Sequence, residues 1–359
     1  MSTSKPSDTA NSLGLTLATS AAVALLATVA RAQCPADINV DGVVNGADLG
    51  FVLSSWGPCA GCSADLDGND IVNGADLGTL LGAWGECSPT VPGWATLVEA
   101  APDPDVVTDP ALRAAIAATG LAWRVRDSAT QVEMLLVPPG TFMMGCSEGS
   151  DLHGCFPWEQ PVHQVTLTSA FYLARYELTQ AEWQATMGSN PAYFQSASAQ
   201  VPSGRVHERP VEGVSWNGVQ GFLAASGLRL PTEAEWEFAC RAGTSTPFYN
   251  GTTDDATLIG LAWCSSNADA QTRAVGGRTP NAFGFHDMLG NVWEWVSDRY
   301  SEYSADPQID PTAHTGSAPP VLRGGSWYSD TRYTRSSMRL GESAVTQFRD
   351  VGFRVAKTP

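Results

Sequence analysis

The sequence has few basic residues. Lysine and arginine together number 20 against 37 aspartates and glutamates, which gives a formal net charge of −17. None of the basic residues lies between Gln33 and Thr90, although this segment contains eight acidic side chains. A strongly negative chain is repelled by nucleic-acid phosphates and by anionic lipid headgroups, so the composition argues against both as partners. It favours instead a protein that binds cations.

Long apolar runs are absent after the N-terminal segment. The chain begins with polar residues, continues from Leu13 to Val29 with apolar or small residues, and then reads Ala30-Arg31-Ala32, an A-x-A cleavage pattern. This layout predicts a secretory signal peptide over residues 1–32. The alternative is a membrane anchor, which is disfavoured because the run is short and rich in alanine, threonine and serine. We therefore expect a mature chain, secreted to the periplasm or the extracellular space, that begins near Gln33 and makes no further membrane contact.

A repeat with an offset of 28 residues follows the predicted signal peptide. The segment CPADINVDGVVNGADLGFVLSSWGPC, which begins at Cys34, realigns with CSADLDGNDIVNGADLGTLLGAWGEC, which begins at Cys62. Such self-similarity indicates two copies of one supersecondary unit. Each copy contains a loop with oxygen-bearing side chains at positions 1, 3, 5, 9 and 12, followed by apolar residues at helical spacing.

This spacing predicts two calcium sites, because calcium takes about six to eight oxygen ligands from such a loop. Position 6, where the loop turns sharply, is Gly42 in the first loop and Asp70 in the second. A single acidic turn beside a helix would explain one loop equally well, but two loops in register favour calcium. The expected ligands are Asp37, Asn39, Asp41, the Val43 carbonyl, Asn45 and Asp48 in the first loop, and Asp65, Asp67, Asn69, the Ile71 carbonyl, Asn73 and Asp76 in the second.

The two loop-plus-helix units resemble type I dockerin, the module that attaches secreted proteins to cohesin modules. The resemblance covers residues 33–88, and the flanking cysteines are an addition to the usual pattern. It implies a small all-α, calcium-binding module that connects the chain to a cohesin-like or cell-surface protein.

The chain contains eight cysteines, and an even number in an exported protein favours disulfides. In the repeats we expect each unit to be closed by its own pair, with a crossed pairing as the open alternative. For the bridge Cys240–Cys264, the alternative is a free, buried Cys240. The expected pairs are Cys34–Cys59, Cys62–Cys87, Cys146–Cys155 and Cys240–Cys264.

The segment 89–121 is rich in proline, threonine, aspartate and alanine, which predicts a linker with a short helix from Pro110 to Ala118. Beyond it, helices are expected after capping signals at Thr179, Ser215 and Thr232. Elsewhere the strands look short and the loops long. This pattern predicts an α+β domain with little regular structure that is held together by aromatic packing.

Four motifs occur in a distinctive order in this region. RLPTEAEWE begins at Arg229, GNVWEW at Gly290, RGGSW at Arg323 and DVGFR at Asp350. Together they resemble the formylglycine-generating enzyme family, also called sulfatase-modifying factors, over residues 122–357. The resemblance implies a compact, irregular α+β fold related to C-type lectins. It also implies an oxidase that converts a sulfatase cysteine to formylglycine, with oxygen and a Cu(I) ion held by two cysteine thiolates.

The copper ligands of that family are missing here. Counted from Arg323, the two family cysteines fall on Ser329 and Thr334, and residues 323–340 contain no cysteine. Cu(I) prefers sulfur, whereas a neutral hydroxyl is a hard and weak ligand. We therefore do not expect copper to bind, and no catalytic residue is assigned. A second branch of the family uses iron held by three histidines of an added helical domain, which has no counterpart in this sequence.

The family resemblance implies one more metal site, a structural calcium around the GNxWEW motif. Its matching positions are the side chains of Asp287 and Glu294 and the backbone carbonyls of Gly290 and Val292, and oxygen ligands from a tight loop suit calcium. The alternative is that the two acidic side chains only cap turns.

Aromatic and arginine side chains follow the RGGS motif, so we expect them around the copper positions. They either line a ligand pocket or only pack. The residues concerned are Trp327, Tyr328, Arg332 and Tyr333.

Three functions follow from these observations. The first is a binding or assembly protein that is attached through the dockerin-like module and presents a domain with an unknown ligand. The second is a formylglycine-generating-type oxidase that modifies a protein substrate through a non-standard centre. The third is a purely structural secreted protein. The missing cysteine pair favours the first, with calcium as its cofactor.

Overall fold

The computed structural model describes residues 34–39, 42–146 and 154–359. They divide into two compact units, one ending at Cys87 and the other spanning Ser88–Pro359. The predicted signal peptide and the predicted calcium ligand Asp41 lie outside the described residues. Within the described ranges, no helix is both long and apolar enough to cross a membrane.

The small unit consists of two nearly identical halves. Helix α1 (Gly46–Ser54) and helix α2 (Gly74–Gly82) begin after the N-cap residues Asn45 and Asn73. Each asparagine side chain accepts a hydrogen bond from the backbone N–H two residues later. An aspartate three residues after the asparagine accepts one from the N–H of the asparagine itself. Both helices therefore start with a capping box, and the last residues of each predicted calcium loop are also the helix cap.

Four two-residue strands connect the two halves crosswise. Strand β1 (Val43–Val44), at the end of the first loop, pairs with β4 (Gly85–Glu86), which follows α2. Strand β2 (Gly57–Pro58), which follows α1, pairs with β3 (Ile71–Val72), at the end of the second loop. The expectation of an all-α module is wrong in this respect, because the strand that follows each helix pairs with the strand at the end of the other loop.

The crossed strands also determine the disulfides of the small unit. The bridges are Cys34–Cys87 and Cys59–Cys62, with Cα–Cα distances of 5.9 and 5.5 Å. The predicted pairs Cys34–Cys59 and Cys62–Cys87 are wrong, because the start of each repeat lies beside the end of the other. The backbone repeats this relation, since the N–H of Cys87 donates to the carbonyl of Gly42 at 2.9 Å and that of Cys59 to the carbonyl of Asp70 at 2.8 Å.

The hydrophobic core of the small unit is small. It contains Ala36, Ile38, Val44, Val52, Ala64, Val72 and Leu80. A core of this size stabilises a fold weakly, and natural domains of this kind add disulfides or metals. Four large apolar side chains at equivalent positions of the two halves, Leu53, Trp56, Leu81 and Trp84, stay about half exposed.

The segment that was predicted to be a linker belongs to the large unit. Strand β5 (Ala95–Glu99) pairs antiparallel with β6 (Arg124–Asp127). Trp94 packs edge-on against Tyr172, with ring centroids 5.4 Å apart. The predicted short helix is confirmed as α3 (Pro110–Ala117). The composition was misleading because its prolines and aspartates form turns and a helix cap rather than an extended spacer.

The remaining strands of the large unit are short and form three sheets together with β5 and β6. They are β7 (Glu133–Val137), β8 (Gly140–Met144), β9 (His163–Leu167), β10 (Phe171–Ala174), β11 (Trp293–Arg299), β12 (Gln308–Ile309), β13 (Pro320–Arg323), β14 (Arg339–Gly341), β15 (Val351–Phe353) and β16 (Ala356–Lys357). The strand orders are β16-β10-β7-β6-β5, β14-β13-β11-β15 and β12-β9-β8. Only the pairs β11–β15 and β9–β12 are parallel among the strand pairs of the described residues.

Three helices of the large unit begin at the predicted caps Thr179, Ser215 and Thr232, each of which accepts a hydrogen bond from the backbone of the first turn. A fourth helix was not predicted. The four are α4 (Gln180–Met187), α5 (Trp216–Ser226), α6 (Glu233–Arg241) and α7 (Asp255–Leu261). The mixture of short helices and mixed sheets confirms the predicted α+β class.

The cysteines of the large unit follow the predictions in part. The Cys146–Cys155 bridge is confirmed. The Cys240–Cys264 bridge is wrong, since both thiols are free and buried. Cys240 lies on α6 with its sulfur 3.5 Å from Ser336 Oγ, and the sulfur of Cys264 lies 3.2 Å from Ser266 Oγ.

Replacing Cys34 and Cys87 by serine should destabilise the small unit more than replacing Cys59 and Cys62. A cross-link stabilises by restricting the unfolded chain, and these two span sequence separations of 53 and 3 residues. The chain-entropy relation gives losses of about 4 and about 2 kcal/mol in the free energy of unfolding. Hydrogen exchange of peptides from residues 34–87 in the mature chain measures both losses.

Non-reducing peptide mapping is the control for this prediction. Recovery of a Cys34–Cys59 peptide would contradict the crossed arrangement, and equal losses in the two variants would contradict the dependence on loop length.

Candidate functional site

The two loops of the small unit have the same hydrogen bonds at equivalent positions. The position-12 side chains Asp48 and Asp76 are buried, and each accepts backbone N–H groups from positions 2, 3 and 9 at 2.7–3.3 Å. Desolvation acts to raise the pKa of Asp76, but the hydrogen bonds from Asn73, Leu66 and Asp67 outweigh it and hold the pKa below its usual value. The position-12 carboxylate of the second loop is therefore kept in its charged form.

The second loop brings three carboxylates together. One oxygen each from Asp65, Asp67 and Asp76 lies within 4.8 Å of the others. In the part of the chain that the structure describes, no other group of three or more aspartate, glutamate, histidine or cysteine side chains converges as closely. Negative oxygens at this distance repel one another unless a cation lies between them. The donor set therefore fits a hard cation such as calcium.

The other predicted ligands of this loop lie beside the three carboxylates. Asn69 Nδ2 donates to Asp67 Oδ2 at 2.9 Å, and Asn73 Nδ2 donates to the carbonyl of Ile71 at 3.1 Å. In the first loop the matching bond joins Asn45 Nδ2 to the carbonyl of Val43 at 3.1 Å. The position-9 amides of Asn45 and Asn73 thus make the same hydrogen bond in the two loops.

Position 6 makes the same turn in both loops. Gly42 has φ +90° and Asp70 has φ +64°, both in the left-handed region. In each loop the N–H of this residue donates to the position-1 carboxylate, at 2.8 Å to Asp37 and 2.7 Å to Asp65. Aspartate tolerates this conformation better than most residues, so the missing glycine does not distort the second loop.

The two copper positions of the large unit are occupied by buried hydroxyls that are hydrogen-bonded within their own turn. Ser329 Oγ accepts the N–H of Ser326 at 3.0 Å and lies 3.2 Å from Ser326 Oγ. Thr334 Oγ1 donates to the carbonyl of Asp330 at 2.9 Å. Because neither position offers a thiolate, these residues do not fit Cu(I).

The residues predicted to hold calcium at the GNVWEW motif fit that ion only in part. Asp287 Oδ2 accepts the N–H of Gly276 at 2.6 Å, while Oδ1 is buried and has no hydrogen-bond partner among the described residues. Burial raises the pKa of Asp287 to about 6. Glu294 is already neutralised, since Arg354 donates to both of its oxygens at 2.7 Å.

The two backbone positions of this predicted set lie in the same tight segment. Gly290 has φ +82°, and the N–H of Val292 donates to Glu177 Oε1 at 2.9 Å. Calcium binding by these four residues stays a prediction, and Glu294 is the residue whose contacts agree with it least.

The side chains after RGGS divide between packing and exposure. Trp327 is 2% exposed and makes edge-on contacts with Phe194 and Tyr328, whereas Tyr328 is 71% exposed. Arg332 is exposed and bonds Asp330 at 2.9 Å.

A second group of stacked rings includes Tyr333. Tyr333 stacks on Phe156 with a centroid distance of 5.7 Å, and Phe156 stacks on Trp158 at 4.6 Å. The sequence did not indicate Phe156, Trp158 or Phe194, because they come from distant segments with no spacing relation to RGGS.

A buried carboxylate beside Phe194 was also missed. Glu212 Oε1 accepts the N–H of Phe194 at 2.8 Å, and Oε2 has no hydrogen-bond partner among the described residues. Burial is the largest influence on this group and raises its pKa from 4.5 to about 7. Burial also raises the pKa of the nearby Asp350, whose carboxylate accepts a hydrogen bond from Ser326 Oγ at 2.9 Å.

The wild-type chain should lose stability as the pH rises from 4.5 to 7, and Glu212→Gln should abolish this loss. In this window the folded state holds the Glu212 proton and the unfolded state has released it, so raising the pH favours unfolding. A shift from 4.5 to about 7 corresponds to a loss on the order of 3 kcal/mol in the wild-type chain. Denaturant unfolding at pH 4.5 and 7.5 measures the difference between the two chains.

The exposed Glu302→Gln is the matched control and should leave the pH profile of the wild type unchanged. Parallel profiles for the wild type and Glu212→Gln would show that Glu212 is not protonated in the folded state at pH 6.

Comparison with known proteins identifies the large unit. Residues 122–359 match the sulfatase-modifying factor enzyme 1-like domain. The formylglycine-generating enzyme of Streptomyces coelicolor is 30% identical over 304 residues, covering 68% of this chain and 94% of the relative. The serine/threonine-protein kinase pkn1 of Chlamydia pneumoniae is 32% identical over 248 residues, which cover 63% of this chain. The match spans only 38% of that kinase.

A solved structure has the same fold. Treponema denticola variable protein 1 superposes with a TM-score of 0.57 at 28% sequence identity, covering 64% of this chain and 95% of that protein. The motifs, the irregular α+β fold and the matched residues 122–359 agree with one another. The chain belongs to the sulfatase-modifying factor family, whose members include the formylglycine-generating enzymes.

Proposed function

We propose that this chain is a secreted, calcium-binding attachment protein whose formylglycine-generating enzyme-like domain binds a ligand and has lost the copper-dependent oxidation. The observation that carries the proposal is the chemistry of the two copper positions. Ser329 and Thr334 offer only hydroxyls, which are engaged in hydrogen bonds of their own turn. The three disulfides, Cys34–Cys87, Cys59–Cys62 and Cys146–Cys155, are in keeping with an oxidising compartment.

The alternative is an oxidase with a non-standard centre, which would have to use the two free thiols. Burial raises the pKa of Cys240 to about 12, so this thiol is neutral at physiological pH. The thiolate, not the thiol, is the metal ligand. Cys264 is also buried, and its sulfur contacts Ser266 Oγ rather than a second cysteine. These contacts favour the non-catalytic function.

Calcium binding is supported by the geometry of the second loop. Asp65, Asp67 and Asp76 converge within 4.8 Å, and the segment from Gln33 to Thr90 contains no lysine or arginine to balance them. A calcium ion would supply the missing positive charge and would also hold the loop to the start of α2.

Attachment is supported by the exposed apolar residues of the small unit. Leu53 and Trp56 at the end of the first half, and Leu81 and Trp84 at the end of the second, stay about half exposed in a unit with few apolar residues. Exposed clusters of large apolar side chains mark interaction sites. A cohesin-like or cell-surface protein is the partner we propose for them.

Cu(I) loading followed by metal analysis tests the loss of oxidation. We expect less than stoichiometric copper after chelator washing and no oxygen-dependent conversion of a CxPxR peptide, because no thiolate pair is available. The Streptomyces coelicolor relative serves as the positive control. Tight, stoichiometric copper with turnover of the peptide would overturn the proposal, and a Cys240→Ser variant would then show whether Cys240 is a ligand.

Chelation should destabilise the small unit, and Asp37→Ala combined with Asp65→Ala should have the same effect. A ligand that is present at about a hundred times its dissociation constant stabilises the folded state by about 2.7 kcal/mol. Thermal unfolding and hydrogen exchange of residues 34–87, with and without calcium, measure the effect.

Asp70→Gly is the matched control, since it removes an acidic charge from the same loop at a left-handed position that suits glycine. It should keep calcium binding, which calorimetric titration can follow. Unchanged unfolding in chelator, or a loss of affinity in Asp70→Gly as large as in Asp65→Ala, would contradict the ligand assignment.

A further inference from the structure

A row of aromatic side chains with exposed ends lies beside Ser329, one of the two family copper positions. It consists of Tyr193, Phe194, Trp327 and Tyr328, whose successive ring centroids are 5.0, 5.5 and 5.4 Å apart and meet edge to face. The two inner rings pack against the domain, while Tyr193 is 66% and Tyr328 is 71% exposed. This aromatic row therefore ends on both sides in a ring that faces solvent.

Arg349 is held against the aromatic row. Its guanidinium carbon lies 5.5 Å from the ring centroids of both Tyr193 and Trp327. Its own carbonyl accepts the indole N–H of Trp327 at 3.2 Å, which ties the backbone of Arg349 to the row. A guanidinium that rests on aromatic faces loses little further freedom when its N–H groups bind a ligand.

The guanidinium of Arg349 is not engaged in a salt bridge with any described residue, although its charge acts on the neighbouring Asp350 and lowers the pKa of that carboxyl, against the larger effect of burial. The side chain is exposed, and within the described residues it forms no ion pair and donates no hydrogen bond. The adjacent Asp350 uses its Oδ2 to accept from Ser326 Oγ at 2.9 Å. Two other exposed arginines are paired, Arg205 with Glu208 at 2.6 Å and Arg332 with Asp330 at 2.9 Å. An unpaired arginine in a chain with 37 acidic residues is open to an external anion.

The surroundings of Arg349 favour a ring-shaped ligand over an extended peptide. A peptide that adds to a strand needs a run of free backbone acceptors, and three carbonyls of this segment, including that of Arg349 itself, are already hydrogen-bonded. The carbonyls of Ala344, Phe348 and Arg349 accept from Asn217, Gly213 and Trp327. The exposed groups include two tyrosine rings with their hydroxyls, the neighbouring Phe348, which is 45% exposed, and one cation, so flat apolar faces and polar edges occur at the same place.

We propose that the aromatic row and Arg349 bind an anionic saccharide. The carboxylate or sulfate group of the sugar pairs with the Arg349 guanidinium, and a sugar ring packs against Tyr193 or Tyr328. The inference rests on the proposed ligand-binding function and adds the chemical class of the ligand.

Calorimetric titration of the full mature chain tests the inference with three oligosaccharides of equal length. The probes are a galacturonate hexamer, a sulfated galactose hexamer and a neutral galactose hexamer. Calcium is present throughout, because the small unit is expected to need it for stability, and Arg349→Gln separates binding at the aromatic row from calcium bridging of sugar carboxylates to the acidic loops. We expect at least one anionic hexamer to bind about tenfold or more tightly than the neutral one, with an affinity that falls as salt is added. Comparison of the two anionic hexamers identifies the carboxylate or the sulfate as the group that Arg349 prefers.

Arg349→Gln should lower the affinity for the anionic hexamer by about tenfold or more, because it removes a charge-assisted hydrogen-bonding partner. Arg349→Lys keeps the charge but not the planar fork, so it should restore only part of the affinity. Arg332→Gln is the matched control. Arg332 is an exposed arginine that lies beside another tyrosine, Tyr333, and its guanidinium is already paired with Asp330. The affinity of this variant should stay within about twofold of the wild type.

Three results would overturn the inference. They are equal binding of neutral and anionic hexamers, an unchanged affinity in Arg349→Gln, and binding of a glutamate hexapeptide when none of the three sugars binds. Unaltered thermal unfolding of the variants excludes misfolding as the cause of a loss. Failure of the proposed function is a separate result, because copper loading and peptide oxidation do not involve Arg349.

Discussion

The large domain depends on buried charged side chains that satisfy the backbone of its loops. Long irregular segments leave N–H and carbonyl groups without helix or strand partners, and a buried group left unpaired costs about 1–3 kcal/mol. Among the described residues of this domain five arginines are fully buried, namely Arg209, Arg323, Arg335, Arg339 and Arg354. Arg323 alone donates to the carbonyls of Ser336, Ser337 and Met338 and also pairs with Glu237. Each of these guanidinium groups donates to at least one backbone carbonyl. Four of them also pair with a glutamate that compensates the charge, namely Arg323 with Glu237, Arg335 with Glu159, Arg339 with Glu233 and Arg354 with Glu294.

This arrangement explains how the domain keeps its frame without copper ligands. Arg323 opens the RGGS motif and, through those carbonyls, fixes the far end of the turn that carries Ser329 and Thr334. The near end is fixed by Gly325, with φ +78°, because a Cβ there would lie 2.7 Å from the carbonyl of Tyr333. The shape of the turn therefore depends on an arginine and a glycine rather than on the metal-binding residues. Serine and threonine can replace the cysteines because they bond within the turn, and the surface around it remains available for another ligand.

The features that could be predicted from the sequence are those whose cause is local. Thr179, Ser215 and Thr232 cap helices because the interacting groups lie three residues apart. The 28-residue offset likewise revealed the two loops. The disulfides of the repeats could not be predicted, since the pairing depends on how two helices cross rather than on spacing.

The contacts of the candidate sites had the same limitation. Glu212 meets Phe194, and Arg349 meets Trp327, only in the folded chain, so no motif connects them. The segment 89–121 shows a different failure, because its turn-forming composition is shared by linkers and by strand-connecting loops. Only the pairing of β5 with β6 separates the two.

In the small unit the crossing of the halves makes the two predicted calcium loops depend on each other. The strand that leaves the first loop pairs with the end of the second repeat, and the reverse holds for the second loop. A cation that fixes Asp65 and Asp76 therefore also positions β3, whose partner β2 belongs to the first half. The disulfides restrict the unfolded chain but leave the eight acidic charges uncompensated, so they cannot replace the cation. Trp56 and Trp84 follow the two helices directly, and their spacing is fixed only when both halves are folded. In the function we propose, metal binding and presentation of the attachment surface are thus coupled by the topology itself.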